Sequence, residues 1–333
     1  MVTGTGTGIK FMVVTITLNP IVERRFYLHN VVPGSANRAK KEALRAGGKG
    51  INVSRQIALF GIPNVAVTFI GGDSGKLFRR ALKEDEINFT PIQLKEEIRT
   101  GFVSVDETSK TVTSFFPPNP IVTKNEAADF LDKAMKVINN ASVVVLAGSS
   151  PSPECDYIFP EIIRRANELD KTVILDTYGD HLENCLNASP TMLHINKSEI
   201  EKSLGITLND EDSYREILQS LYKKGIKLSF ITDGHNTFYA SKFDFHYRVD
   251  VPVVDEFDAT GSGDAFVAGL VIGLEKALVF EEFVNLSVSL GALNAKSEKT
   301  CAVTPAELEL ANYGIRIDAV GKKMKIIDDS PTI

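Results

Sequence analysis

Six short apolar runs, separated by stretches of helical period, constrain this chain's fold more than any other feature. They are Met12–Leu18, Val65–Gly71, Val143–Gly148, Thr172–Asp176, Met192–Asn196 and Leu228–Thr232. Several are continuous in Val and Ile and do not alternate with polar residues, the pattern of strands covered on both faces. Between them, Tyr214, Ile217, Leu218, Leu221 and Tyr222 recur at helical spacing, and Gly225 closes that helix. Ala127, Phe130, Leu131, Ala134, Val137 and Ile138 repeat the pattern. Strands alternating with such helices predict a doubly wound, mostly parallel α/β sheet flanked by helices.

Two stretches, about 24–44 and 98–116, break the rhythm. They hold strand-like segments (Arg24–Leu28, Gly101–Val105, Thr111–Phe116) and no helical period. Extra strands standing off the sheet would form a small β-strand lid over a site; ordinary surface hairpins are the alternative. Residues 12–333 therefore read as one domain with a lid, preceded by a Thr/Gly-rich flexible leader, 1–11.

Composition narrows the partners. A net charge of −6 points away from nucleic acid, and isolated basic pairs such as Arg24-Arg25 read as solvated surface. No apolar run reaches the ~20 residues of a membrane span. Cys155, Cys185 and Cys301 lie far apart with no CxxC spacing, as expected in a reducing cytoplasm. The five histidines form no HxH or HxxxH pair, against a histidine-ligated zinc.

The strongest chemical signal is Asp258-Ala259-Thr260-Gly261-Ser262-Gly263-Asp264, running into the helical period of Phe266, Val267, Leu270, Val271 and Leu274. A glycine turn opening a helix offers free N–H groups and the positive dipole end to a phosphate. Asp264, in the first turn, is then placed to take a proton from an attacking hydroxyl. The competing reading is an Asp that caps its own helix. A second glycine run, Ala46-Gly47-Gly48-Lys49-Gly50-Ile51-Asn52-Val53, also opens a helix and lacks the Gly-Lys-Ser/Thr ending of a Walker loop. Asn52 offers a donor and an acceptor to sugar hydroxyls.

Together with Thr17-Leu18-Asn19-Pro20 and Asn37-Arg38, these motifs resemble the ribokinase-like (PfkB) carbohydrate kinases, in order and spacing, from about Met12 to Leu310. The opening Thr-Leu-Asn-Pro and Leu290-Gly291-Ala292-Leu293-Asn294-Ala295 resemble the branch of 1-phosphofructokinases and tagatose-6-phosphate kinases. The resemblance implies a ribokinase-like fold and ATP with magnesium as cofactors. It makes Asp264 the base and gives the anion hole to the amides of Gly261, Ser262 and Gly263. Gly47, Gly48, Lys49, Asn52, Glu23 and Ser149 would hold the sugar. Arg99, assisted by Arg38, would grip a phosphate already on it. Asn196, Thr232, Gly234 and Asn294 would line the nucleotide pocket, with Glu199 organising magnesium through water. It further implies a homodimer through the lid.

Departures leave alternatives open. Glu23 stands where the family usually has aspartate. The lysine and proline before Asn196 are lost, and Asp233 and Thr237 alter the adenine-side loop. The leading expectation is transfer from ATP to a ketohexose phosphate: fructose 1-phosphate, fructose 6-phosphate or tagatose 6-phosphate. The alternatives are a kinase for a free sugar or nucleoside, and a non-catalytic sugar-phosphate-binding regulator.

Overall fold

The computed structural model describes residues 12–311 and 313–321, so the leader predicted at 1–11 lies outside the described residues. The chain opens with β1 (Val13–Thr17), then β2 (Ile21–Leu28) and β3 (Lys41–Gly47). Next come α1 (Lys49–Ala58), β4 (Asn64–Gly71), α2 (Gly72–Glu84) and β5 (Phe89–Leu94). The second excursion supplies β6 (Arg99–Asp106) and β7 (Thr111–Phe115). The alternation resumes with α3 (Lys124–Ile138), β8 (Val143–Ala147), α4 (Ile158–Glu168), β9 (Thr172–Asp176), α5 (Leu182–Asn187) and β10 (Met192–Asn196). It continues through α6 (Lys197–Leu204), α7 (Glu211–Lys223), β11 (Leu228–Thr232), β12 (Phe238–Lys242) and β13 (Phe245–Val249). The chain ends with α8 (Ser262–Glu275), α9 (Phe280–Lys296), α10 (Pro305–Leu310) and β14 (Ile317–Val320).

Ten strands form the main sheet in the order β14-β13-β12-β11-β10-β9-β8-β1-β4-β5. From β11 to β5 neighbouring strands run parallel, while β12, β13 and β14 add an antiparallel edge. All five residues of β8, Val-Val-Val-Leu-Ala, are buried, which a strand flanked on both faces requires. Two apolar cores result, one on each face: Phe69, Phe130 and Phe159 belong to one, and Phe230, Phe266 and Phe283 to the other.

The second sheet, in the order β3-β2-β6-β7, stands apart as the lid. Its strand β3, Lys-Glu-Ala-Leu-Arg-Ala-Gly, carries helix-forming residues and gave no strand signal; pairing with β2 from Ile21↔Gly47 to Tyr27↔Lys41 overrides that propensity. The lid strands run from 21 to 47, three residues beyond the first stretch at each end, and from 99 to 115, one residue inside the second at each end.

Candidate active site

The parallel strands end on one side of the sheet, where loops and lid enclose a cavity of about 1000 Å³. Its walls come from the C-terminal ends of β1, β8, β10 and β11, the start of α8, and the lid residues Glu23 and Arg99. Open α/β sheets carry ligands at this end.

Gly261 is the N-cap of α8 at φ +82°, and a side chain there would begin 2.2 Å from Thr300 Cγ2, so the turn requires glycine. Several groups brace the turn. Asp258 Oδ1 accepts the Thr260 N–H (2.9 Å), and Asn294 Nδ2 donates to Thr260 O (3.0 Å) and Ser262 Oγ (3.1 Å). Asn294 Oδ1 accepts the Cys301 N–H (2.7 Å). Asn294, expected in the nucleotide pocket, is therefore a buried brace behind the turn and does not line the cavity. The Ser262 N–H is engaged with Ala259 O, whereas the N–H groups of Gly261, Gly263 and Asp264 have no partner among the described residues. The amides open to an anion are thus Gly261, Gly263 and Asp264, with Ser262 turned inward.

Asp264, third residue of α8, does not cap its own helix. Its Oδ2 accepts from Asn52 Nδ2 at 2.7 Å. Burial, reinforced by the Asp176 carboxylate, pushes its pKa up to about 7 against the pull of Lys49, Asn52 and His194. Such a carboxyl is poised to exchange a proton near neutrality. Asn52 itself is engaged at both ends, because its Oδ1 accepts from Arg55 at 2.7 Å. It stands as a holder of Asp264, a use the sugar-binding expectation did not include.

Lys49 opens α1 after Gly48, whose φ of +121° and closeness to Thr17 Cγ2 admit no side chain. Its Nζ lies 2.9 Å from both Asp176 Oδ1 and Glu199 Oε1 and 5.1 Å from the Tyr178 ring centre. Burial opposes the charge on Lys49, yet the two carboxylates outweigh it and hold its pKa above the ordinary value. Burial opposes the charge on Asp176 too, but Lys49 and then His194 keep it below the usual carboxylate range.

Glu199 and Asn196 form a reciprocal cap on α6: Glu199 N–H donates to Asn196 Oδ1 (2.9 Å) and Asn196 N–H to Glu199 Oε2 (3.2 Å). Capping and a place on the cavity wall coexist. A magnesium ion prefers oxygen ligands and retains water. Asp176 Oδ2 is a buried carboxylate oxygen off the cavity surface with no partner among the described residues, which leaves Glu199, of these two carboxylates, on the cavity wall. Among the described residues no cluster of three or more His, Cys, Asp or Glu closes into a metal cage. The donor set fits a largely hydrated magnesium shared with phosphate.

On the lid side, Asn19 Nδ2 donates to Ser149 Oγ (3.1 Å) and Asn119 Oδ1 (2.9 Å). Arg99 donates from Nη2 to Asn19 O (2.9 Å), has no ion-pair partner among the described residues, and keeps a buried Nε without an acceptor. Glu23 reaches the wall because Gly47, off the cavity surface, leaves it room: a side chain at 47 would begin 2.8 Å from Glu23 Oε1. Arg38 lies exposed between β2 and β3 and is not brought to the cavity. Thr232 and Gly234 line the opposite half with Phe238, Val251, Pro252 and Val288, an apolar surface suited to a flat base.

Sequence reasoning missed Asp176, His194, Tyr178 and the inward role of Asn52. Asp176 and Asn196 end adjacent parallel strands, and that position was the available signal. The Arg24-Arg25 pair is a further correction: Arg25 is wholly buried against Asp258, because lid and body close over it.

A profile of the pfkB family carbohydrate kinases matches residues 10–307. The solved structures that are similar over nearly their whole length include the following two. A Thermotoga maritima protein described as a possible 1-phosphofructokinase superposes with a TM-score of 0.83 at 23% identity, covering 93% of this chain and 100% of that one. Phosphofructokinase-2 from Escherichia coli, in complex with fructose-6-phosphate, gives 0.80 at 21%, covering 90% and 97%. At these identities the likeness establishes the shared fold.

Proposed function

This chain belongs to the pfkB family of carbohydrate kinases, enzymes that use ATP to phosphorylate sugars, and from that premise we propose that it phosphorylates a ketohexose phosphate to a bisphosphate. The observation that carries the reading is that one cavity holds both the Asp264 carboxyl and an arginine, Arg99, that has no carboxylate partner among the described residues. Arg99 takes the phosphate already on the sugar, since a guanidinium matches that group bidentately.

The acceptor hydroxyl gives its proton to Asp264 as its oxygen bonds to the γ-phosphorus, and the bond to the bridging oxygen breaks to release ADP. The open amides at the α8 N-terminus meet the charge on the transferring group. Glu199, on the cavity wall and acting through water, would hold magnesium, which would supply neutralisation of the phosphate charge. Lid strands β2 and β6 keep bulk water from the reacting phosphoryl.

A homodimer through the lid and a cytoplasmic location complete the reading. Phe102 and Phe115 face each other in register, 44% and 59% exposed, and Phe26 stacks on Phe102, an apolar row suited to a second lid. All three cysteines are buried free thiols, in keeping with a reducing compartment.

The test is ADP release with ATP, magnesium and a panel of hexose phosphates, free hexoses and nucleosides, run beside D264A. Turnover on one ketohexose phosphate, lost in D264A, is the expected result. Turnover on free sugars or nucleosides alone would overturn the role of Arg99. Sugar-phosphate binding without turnover would favour a regulator.

A further inference from the structure

We propose that Arg55, which does not line the cavity, is a positioning residue that sets which end of the Asn52 amide faces Asp264. The inference rests on Asp264 being the base. A carboxamide presents a donor and an acceptor of similar size, and only its partners decide which end points where. Here the partners are charged and of opposite character. Arg55 Nη1 can only donate, so at 2.7 Å it fixes the amide oxygen; ionised Asp264 can only accept, so at 2.7 Å it fixes the nitrogen.

Asn52 and Arg55 are three apart on α1 and share a face. Arg55 is itself clamped. Its Nε and Nη2 lie 2.9 and 2.8 Å from Asp85 Oδ2, just beyond α2, and Nη2 donates to Ala46 O at 2.5 Å. The relay Asp85–Arg55–Asn52–Asp264 thus runs from the end of α2 through α1 to α8. The same guanidinium holds the end of lid strand β3, one residue before Gly47-Gly48. Without it, nothing holds the amide oxygen, and the Asn52 amide is free to turn and accept from the Asp264 carboxyl whenever that group is protonated, which ties up the proton and displaces the base from the hydroxyl it serves.

Kinetics of R55M, R55K and D264A with ATP and the best sugar phosphate test this. A misdirected base lowers kcat with little effect on binding, so R55M should lose about 30-fold in kcat while both KM values stay within about threefold. R55K, whose ammonium still donates to the amide oxygen, should recover to within about fivefold of wild type. The proposal is overturned if R55M keeps kcat within about twofold, if KM for the sugar rises in step with the loss, or if R55K is as slow as R55M. Inactive D264A beside a normal R55M would sink the amide lock alone. Turnover in D264A would remove the base reading and this inference together. Should R55M not fold, R55L, which also lacks a donor, is judged by the same criteria.

Discussion

Arg25 Nη2 lies 2.5 Å from Asp258 Oδ2, with both side chains shut away from water. The arginine comes from lid strand β2 and the aspartate opens the turn that ends at Asp264, so the pair fastens the lid to the anion loop. Thr300 Oγ1 takes a further, longer bond from Nη1 at 3.3 Å. Removing one partner of a buried pair strands the other charge and costs about 3–5 kcal/mol. R25M should lose stability on that scale and lose turnover as the turn loosens. A double-mutant cycle by urea unfolding checks it: R25M/D258N should lose less than the sum of the single changes, because no charge is then stranded. Strict additivity would mean the pair carries no coupling.

Asp264 couples activity and stability to pH in opposite senses. With its pKa pushed up to about 7, the base is increasingly competent as pH rises, so kcat/KM should climb across neutrality. In the unfolded chain the carboxyl titrates near its ordinary value of about 4. Between the two values the folded state holds a proton that the unfolded state has lost, so this group's effect on stability worsens as pH rises. D264N keeps an acceptor for Asn52 and removes the titration. Its thermal midpoint should exceed that of wild type at about pH 8 and approach it near about pH 4. An equal difference at both pH values would mean that Asp264 ionises as freely folded as unfolded.

What the sequence made legible was whatever repeats locally. The Val-Val-Val-Leu-Ala of β8, the helical period of α7 and the glycine turn before Asp264 each sit within a few residues, and the α/β order with its lid follows from them. What it hid are relations across distance. Asn52 reaches Asp264 over 212 residues, and Lys49 reaches Asp176 over 127 and Glu199 over 150. No local pattern tells that the acceptor of Asn52 is already taken by Arg55, or that Arg25, beside another arginine, is buried by a closing sheet. β3 was unreadable for a related reason: its residues prefer helix, and only its partner strand makes it extended.

Arg99 bears on the choice of substrate. It enters the cavity from β6, bonded to the Asn19 carbonyl, with its charge unmatched by any carboxylate among the described residues. Such a guanidinium, partly removed from water, favours an anionic ligand group. R99M should therefore raise KM for the phosphorylated sugar by about 100-fold while KM for ATP moves less than about threefold. R99K should restore little, because an ammonium cannot make the paired contacts of a planar fork. If KM for both substrates rises together, the bond to Asn19 is what was lost, and the arginine only supports the loop. If the sugar-phosphate KM does not move, the phosphate binds elsewhere, and the case for a phosphorylated acceptor loses its main support.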